Sequence, residues 1–205
     1  MAAEYGQFKA VKYLYQNGPD VDTRKAKDQA AASGHLEIIK YLHEAHKTLH
    51  TNIMDRAATL GPYDIVEYLH KNCFKGCTTH AHAIDGAARG GHLKVVKCLY
   101  QNRSEGCTVD AINAAMDIYL CTTAAVNNAS ACGYTNVVKY LHENRTEGCT
   151  IKAITKAAED DHLEVVKFLH QNRPEICIKR TLCIASAFQQ NEIIQYVQEY
   201  CSEMA

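Results

Sequence analysis

One stretch of the chain concentrates side chains that bind metals. Cys73-Phe-Lys-Gly-Cys77-Thr-Thr-His80-Ala-His82 places two thiols and two imidazoles close together. Two thiolates with two imidazoles make a good tetrahedral zinc set. The spacing, however, is a poor match to zinc-finger patterns, and Cys77 recurs at an equivalent place elsewhere in the chain. Cys73, Cys77, His80 and His82 are therefore the metal candidates, set against the preferred reading of a solvated loop with no metal.

The other chemical groups fall into series rather than sites. Asp160-Asp161 is a carboxylate pair, but it stands in a turn between helices and reads as solvated. Cys77, Cys107, Cys121, Cys149 and Cys177 recur one residue before a helix and read as reduced thiols packed under loops. His35, His92 and His162 form one histidine series; His43, His70, His142 and His170 form another. Catalysis needs one unusual site, whereas a series of one residue type suggests imidazoles that cap helix ends and bridge neighbouring loops. The chain has no P-loop, no G-x-S-x-G and no H-E-x-x-H. No enzyme and no cofactor are expected.

Composition narrows the class. The 205 residues carry a formal net charge of −1, with 47% hydrophobic and 22% charged residues, which excludes a disordered tail. There is no overall basic excess for nucleic acid or anionic membrane. No apolar run approaches the ~20 residues of a membrane helix. With no apolar signal core in Met1 to Lys12, a reducing, cytoplasmic location is expected, the nucleus remaining open.

The series follow from an internal repeat. Two small residues, two variable ones, a turn residue and a short apolar run recur seven times, as in AASGHLEIIKYLHE and AARGGHLKVVKCLYQ. The turn residue is Gly6, Gly34, Gly61, Gly91, Gly133, then Asp161 and Gln189, at steps of 27 to 30 residues with one step of 42. Each copy parses into two helices. Val165, Phe168 and Leu169 make one apolar stripe on the second. Ala153, Ile154, Ala157 and Ala158 line the first, predicted over Ile151–Asp160. Thr108, Thr122 and Thr150 stand where N-caps are wanted. Glycine at the turn suits positive φ. A pair of short helices cannot bury its own stripe, but a stack of such pairs can. The paired alanines allow close approach between copies. The expected fold is an all-α helix-loop-helix solenoid, one domain over residues 1–205.

Gly34–Leu42 and Gly91–Leu99 resemble the second-helix phrase of ankyrin repeats, and the preceding Ala-Ala fits the end of that family's first helix. Gly18-Pro-Asp-Val-Asp22 is similar to the family's finger. The resemblance spans about seven repeats. The Thr-Pro-Leu-His phrase is absent and the period is shorter than the family's ~33, so short inter-repeat loops are expected. The style is similar to arrays of amoebae and large DNA viruses. Residues 107–120 look like a duplicated repeat head, predicted to form an extra or lengthened helix.

The resemblance implies a non-catalytic scaffold that binds another protein on a concave surface made by first helices and loops, as a monomer. The residues support that reading in one respect: framework positions repeat, whereas the exposed first-helix positions vary. These are Asp55, Arg56, Asp85, Arg89, Asn127, Asn128, Thr155, Lys156 and Glu159. The alternative is a structural spacer, or a fragment of a longer array, with no partner of its own. The first copy lacks its opening turn and the last keeps Ile176, Ile178 and Leu182.

Overall fold

The computed structural model describes residues 1–18, 22–46, 52–72, 80–101, 123–144, 150–172 and 178–203. Every regular element among them is helical, and the chain divides into two compact units, residues 1–118 and 119–205. The segment 107–120 and the five repeat cysteines lie outside the described residues, as do Cys73 and Cys77. No described helix is long and apolar enough to cross a membrane.

The first unit holds α1 (Phe8–Asn17), α2 (Thr23–Ala32), α3 (Leu36–Ala45), α4 (Asn52–Leu60), α5 (Tyr63–Asn72), α6 (His80–Arg89) and α7 (Leu93–Gln101). It is a two-layer stack. The first helices α2, α4 and α6 pack side by side, and each rests on the second helix that follows it. The core between the layers is Ile38, Ile39 and Leu42, then Ile65, Val66 and Leu69, then Val95, Val96 and Leu99. Against them lie the alanine pairs 30/31, 57/58 and 87/88, all fully buried. Each buried Leu or Ile contributes about 1.5–3 kcal/mol of transfer free energy. The alanines contribute proximity instead.

Glycine extends that logic between α4 and α6, which make the most extensive helix contact in the unit. A side chain at Gly86 would collide with Thr59 Oγ1. The Thr59 hydroxyl meanwhile donates 2.7 Å to the Asp55 carbonyl. The repeat pattern singles out the alanines but gives no sign of Gly86.

The second unit holds α8 (described over 123–131), α9 (Thr135–Glu143), α10 (Ile151–Glu159), α11 (Leu163–Asn172), α12 (Ile178–Ala187) and α13 (Asn191–Glu203). α10 packs on α12, and α11 on both α9 and α13. Its core repeats the pattern: Val137, Val138 and Leu141, then Val165, Val166 and Leu169, then Ile193 and Val197.

The turn inside each pair works as the sequence suggests. Gly34 and Gly133 have φ of 82° and 72°, and Asp161 and Gln189 hold φ of 61° and 59° without being glycine. Except at Pro62, which has no N–H, the following N–H reaches back five residues to an alanine carbonyl. Tyr134 N donates to Ala129 O at 2.9 Å, and His162 N to Ala157 O at 2.8 Å. That bond closes the first helix and starts the second.

One capping detail differs from expectation. Thr150 occupies the N-cap of α10 but makes no side-chain cap bond. Its hydroxyl donates instead to Asn127 Oδ1 at 2.8 Å, because α8 presents an acceptor within reach. The cap of α2 is Asp22, whose Oδ1 accepts from the N–H groups of Arg24 and Lys25 at 3.1 and 3.2 Å.

Candidate partner-binding face

Three networks settle which side chains hold the stack together and which remain available. The first uses the histidines after the turn. His35 Nε2 lies 2.9 Å from Glu4 O, His92 Nε2 3.0 Å from Thr59 O, and His162 Nε2 2.9 Å from Ala131 O. Each acceptor stands two residues before the turn residue of the preceding copy. In the last copy Gln190 Nε2 donates to Glu159 O at 2.7 Å in the same register. These rings latch each copy to the last turn of its predecessor's first helix. The bridging role read for this histidine series is thus observed. Pro62 occupies the same register without a side-chain donor.

A second network runs along the second helices. His43 Nδ1 and Tyr68 OH are 2.9 Å apart, their rings edge-on, and Lys40 Nζ lies over the Tyr68 ring at 5.7 Å. His142 meets Phe168 edge-on beneath Lys139, and His170 stacks on Tyr196 and Tyr200 while Lys167 covers Tyr196. Each aromatic is thus held by the Lys and His of the preceding copy. Burial lowers the His170 pKa. Burial, then the charge of Lys27, lowers that of His43. Lys167 also pairs with Glu164 at 3.1 Å.

The third is a single buried cation. Lys27 is 2% exposed, and its ammonium donates to His46 O at 3.0 Å at the end of α3. Burial lowers its pKa. It stands seven residues before the turn glycine, where other copies carry Met54, Ile84, Val126, Ile154 and Leu182. Aligning the copies residue by residue would expose it.

The partner-binding candidates lie on the first helices. In the first unit α4 carries Asp55 and Arg56, and α6 carries Asp85 and Arg89. Both arginines are exposed, and neither guanidinium has a hydrogen-bond or ion-pair partner among the described residues. Asp55 and Asp85 are half-buried. Burial raises the Asp55 pKa, opposed by the nearby His82. In the second unit Asn127 is engaged by Thr150, and Asn128 is half-buried on the same helix. Lys156 is exposed and pairs with Glu159, which raises its pKa. Thr155 is not an exposed position: it is 8% exposed, and its hydroxyl turns back to the Lys152 carbonyl at 3.1 Å. It shares a register with Asp55 and Asp85, where a shorter side chain sinks between the helices.

Of the metal candidates, His82 is exposed on α6 and His80 begins that helix. Among the described residues no group of three or more His, Cys, Asp or Glu side chains could hold a metal ion.

The fold defines a helical-repeat protein of the stacking class. Residues 1–81 match the family model for ankyrin repeats, in three copies. The structure is similar to the crystal structure of the human ASB11 ankyrin repeat domain, with TM-score 0.68 and 19% identity over 96% of this chain and 95% of that one. At that identity the likeness concerns the fold. No curated protein matches the chain by sequence. Residues 1–81 carry ankyrin repeats, as the residues at Gly34–Leu42 suggest.

Proposed function

We propose that this chain is a non-catalytic scaffold that binds another protein through the first helices of its repeats. Ankyrin repeats are in general protein-interaction modules, and solenoids offer extended surfaces for that purpose. One observation carries the reading here. Arg56 and Arg89 of the first helices are exposed, and neither guanidinium has a partner among the described residues, while no described second helix carries an arginine. Arginine with a free planar fork is enriched among the residues that dominate interface energetics. Arg56 and Arg89 are the anchors, Asp55, Asp85, Asn128 and Lys156 tune specificity, and Asn127 and Glu159 support them.

The test is affinity capture from a native extract with wild-type chain and two multiple variants. One replaces Arg56, Arg89, Asn128 and Lys156 by Ala; the other replaces Lys9, Glu37, Lys94 and Glu143 on second helices. The captured protein should be lost only with the first variant. Retention by both, or loss only with the second, contradicts the proposal.

A further inference from the structure

We infer that His170 makes the docking of α12 and α13 onto α11 a pH-sensitive joint, closed while the imidazole is neutral and opened by mild acid. The inference is independent of which face binds a partner. It starts from a departure within one register. His43, His70, His142 and His170 stand at the same place after their turn residues, and the first three are half-exposed. His170 is buried, at 2% exposure.

The ring is a shared contact of both helices of the next pair. α12 rests on α10, and α13 on α11. From α11, His170 stacks on Tyr196 and Tyr200 of α13 at centroid distances of 5.8 and 5.7 Å. Its Nε2 lies 3.4 Å from Oγ1 of Thr181, a buried residue of α12. Its Nδ1 is buried without a hydrogen-bond partner among the described residues. A neutral imidazole has one N–H to place, whereas an imidazolium has two. Here one nitrogen meets a hydroxyl at the long end of hydrogen bonding, and the other meets none.

The surroundings offer an added charge little. The contacts from α12 and α13 are a hydroxyl and two tyrosine rings, and the charged residues Lys179, Arg180, Glu192 and Glu199 of those helices are exposed. On α10, Lys152 is exposed, and Lys156 and Glu159 pair with each other. α9 turns His142 and Lys139 to Phe168. On α11 itself Glu164 pairs with Lys167, whose ammonium lies over the Tyr196 ring at 5.9 Å. Tyrosine faces attract cations, but at Tyr196 an imidazolium would share the ring with a like charge. Burial accordingly lowers the His170 pKa. The ring takes a proton more readily in water than in the joint, so acid favours the open form. Repeat stacks can open at one interface while the rest stays folded. Helices as short as α12 and α13 are marginal alone in water, so an opened joint shows as lost amide protection in both.

The experiment follows amide exchange of the full chain by mass spectrometry at about pH 7.5 and about pH 5.5, each rate corrected for its intrinsic pH dependence. Protection across α12 and α13 should fall severalfold, up to about tenfold, the limit for one imidazole a unit below an unfolded pKa of about 6.5. Protection across α9 and α10 should stay within about twofold. His170→Phe keeps a ring that takes no proton and should hold α12 and α13 within about twofold between the two pH values. His170→Gln, a second non-titrating variant, should show the same pH independence even where its protection is lower throughout. Equal loss across α9, α10, α12 and α13 would make the acid response global and overturn the inference. So would a loss in α12 and α13 that survives in either variant, or no loss in the wild-type chain.

Discussion

The imidazole of His162 sits 2.9 Å from the carbonyl of Ala131, thirty-one residues earlier, and also lies against Gly133. A Cβ on Gly133 would approach His162 Nδ1 to 2.6 Å, at a residue whose φ is already 72°. Glycine and histidine in successive copies are therefore one device. The turn needs positive φ, and the incoming ring needs the space. Gly34 shows the complement: the next copy brings Pro62 rather than His, and a Cβ at Gly34 would meet nothing within 4 Å.

That pairing makes Gly133→Ala and His162→Ala non-additive. His162→Ala should cost about 1 kcal/mol, the net value of one hydrogen bond. Gly133→Ala should cost about 2 kcal/mol or more, from left-handed backbone and ring displacement together. The double variant should cost less than the two added, because removing the ring leaves only the backbone term. Denaturant unfolding of the four proteins measures the coupling; strict additivity means that the ring and the glycine are independent.

Lys27 occupies a core register that other copies fill with apolar side chains. Lys27→Met should therefore leave the protein as stable or raise its stability by about 1 kcal/mol, since an apolar side chain of similar size avoids the desolvation of a buried ammonium. A loss of that size in the denaturation midpoint would mean that the bond to His46 O outweighs desolvation.

His170 predicts an acid-sensitive second unit. It is 2% exposed, and the groups against it among the described residues are Tyr196, Tyr200 and Thr181, none of them a carboxylate. Burial lowers its folded pKa, so the unfolded chain takes up the proton first. Stability is complete above the unfolded value of about 6.5 and falls with pH below it, levelling off below the folded pKa. His170→Phe should flatten that slope between about pH 7.5 and 5 in urea melts. An unchanged slope would assign the acid sensitivity to other groups, of which His43 is next in line.

Lys40 and Tyr68 offer a test of the second-helix ladder. A double-mutant cycle with Lys40→Ala and Tyr68→Ala should return a coupling of about 0.5–1 kcal/mol. Glu37→Ala beside them should be near neutral. Zero coupling would reduce the stacked ring and cation to coincidental neighbours.

Much of this was legible in residue spacing. The seven-fold phrase placed the helices to within a residue or so: Ile151–Asp160 was expected and Ile151–Glu159 is observed, with Asp160 at the cap. The positive-φ turns and the alanine approach also follow directly from the pattern. Its blind spot lies in contacts between copies. Thr150 prefers Asn127 to its own helix, Thr155 sinks below the surface, and Lys40 seeks the ring of the following copy. None of these follows from one copy read alone, because each depends on what the neighbour presents.

The central claim is that the first-helix layer is the binding surface. Photo-crosslinking tests it most directly, with a photoreactive residue placed at Thr59 or Asn128 on first helices, or at Lys94 or Glu143 on second helices, in a native extract. The account predicts one discrete protein adduct from Thr59 and Asn128 and none from Lys94 or Glu143. Adducts of equal yield from both layers, or from the second helices alone, would contradict it.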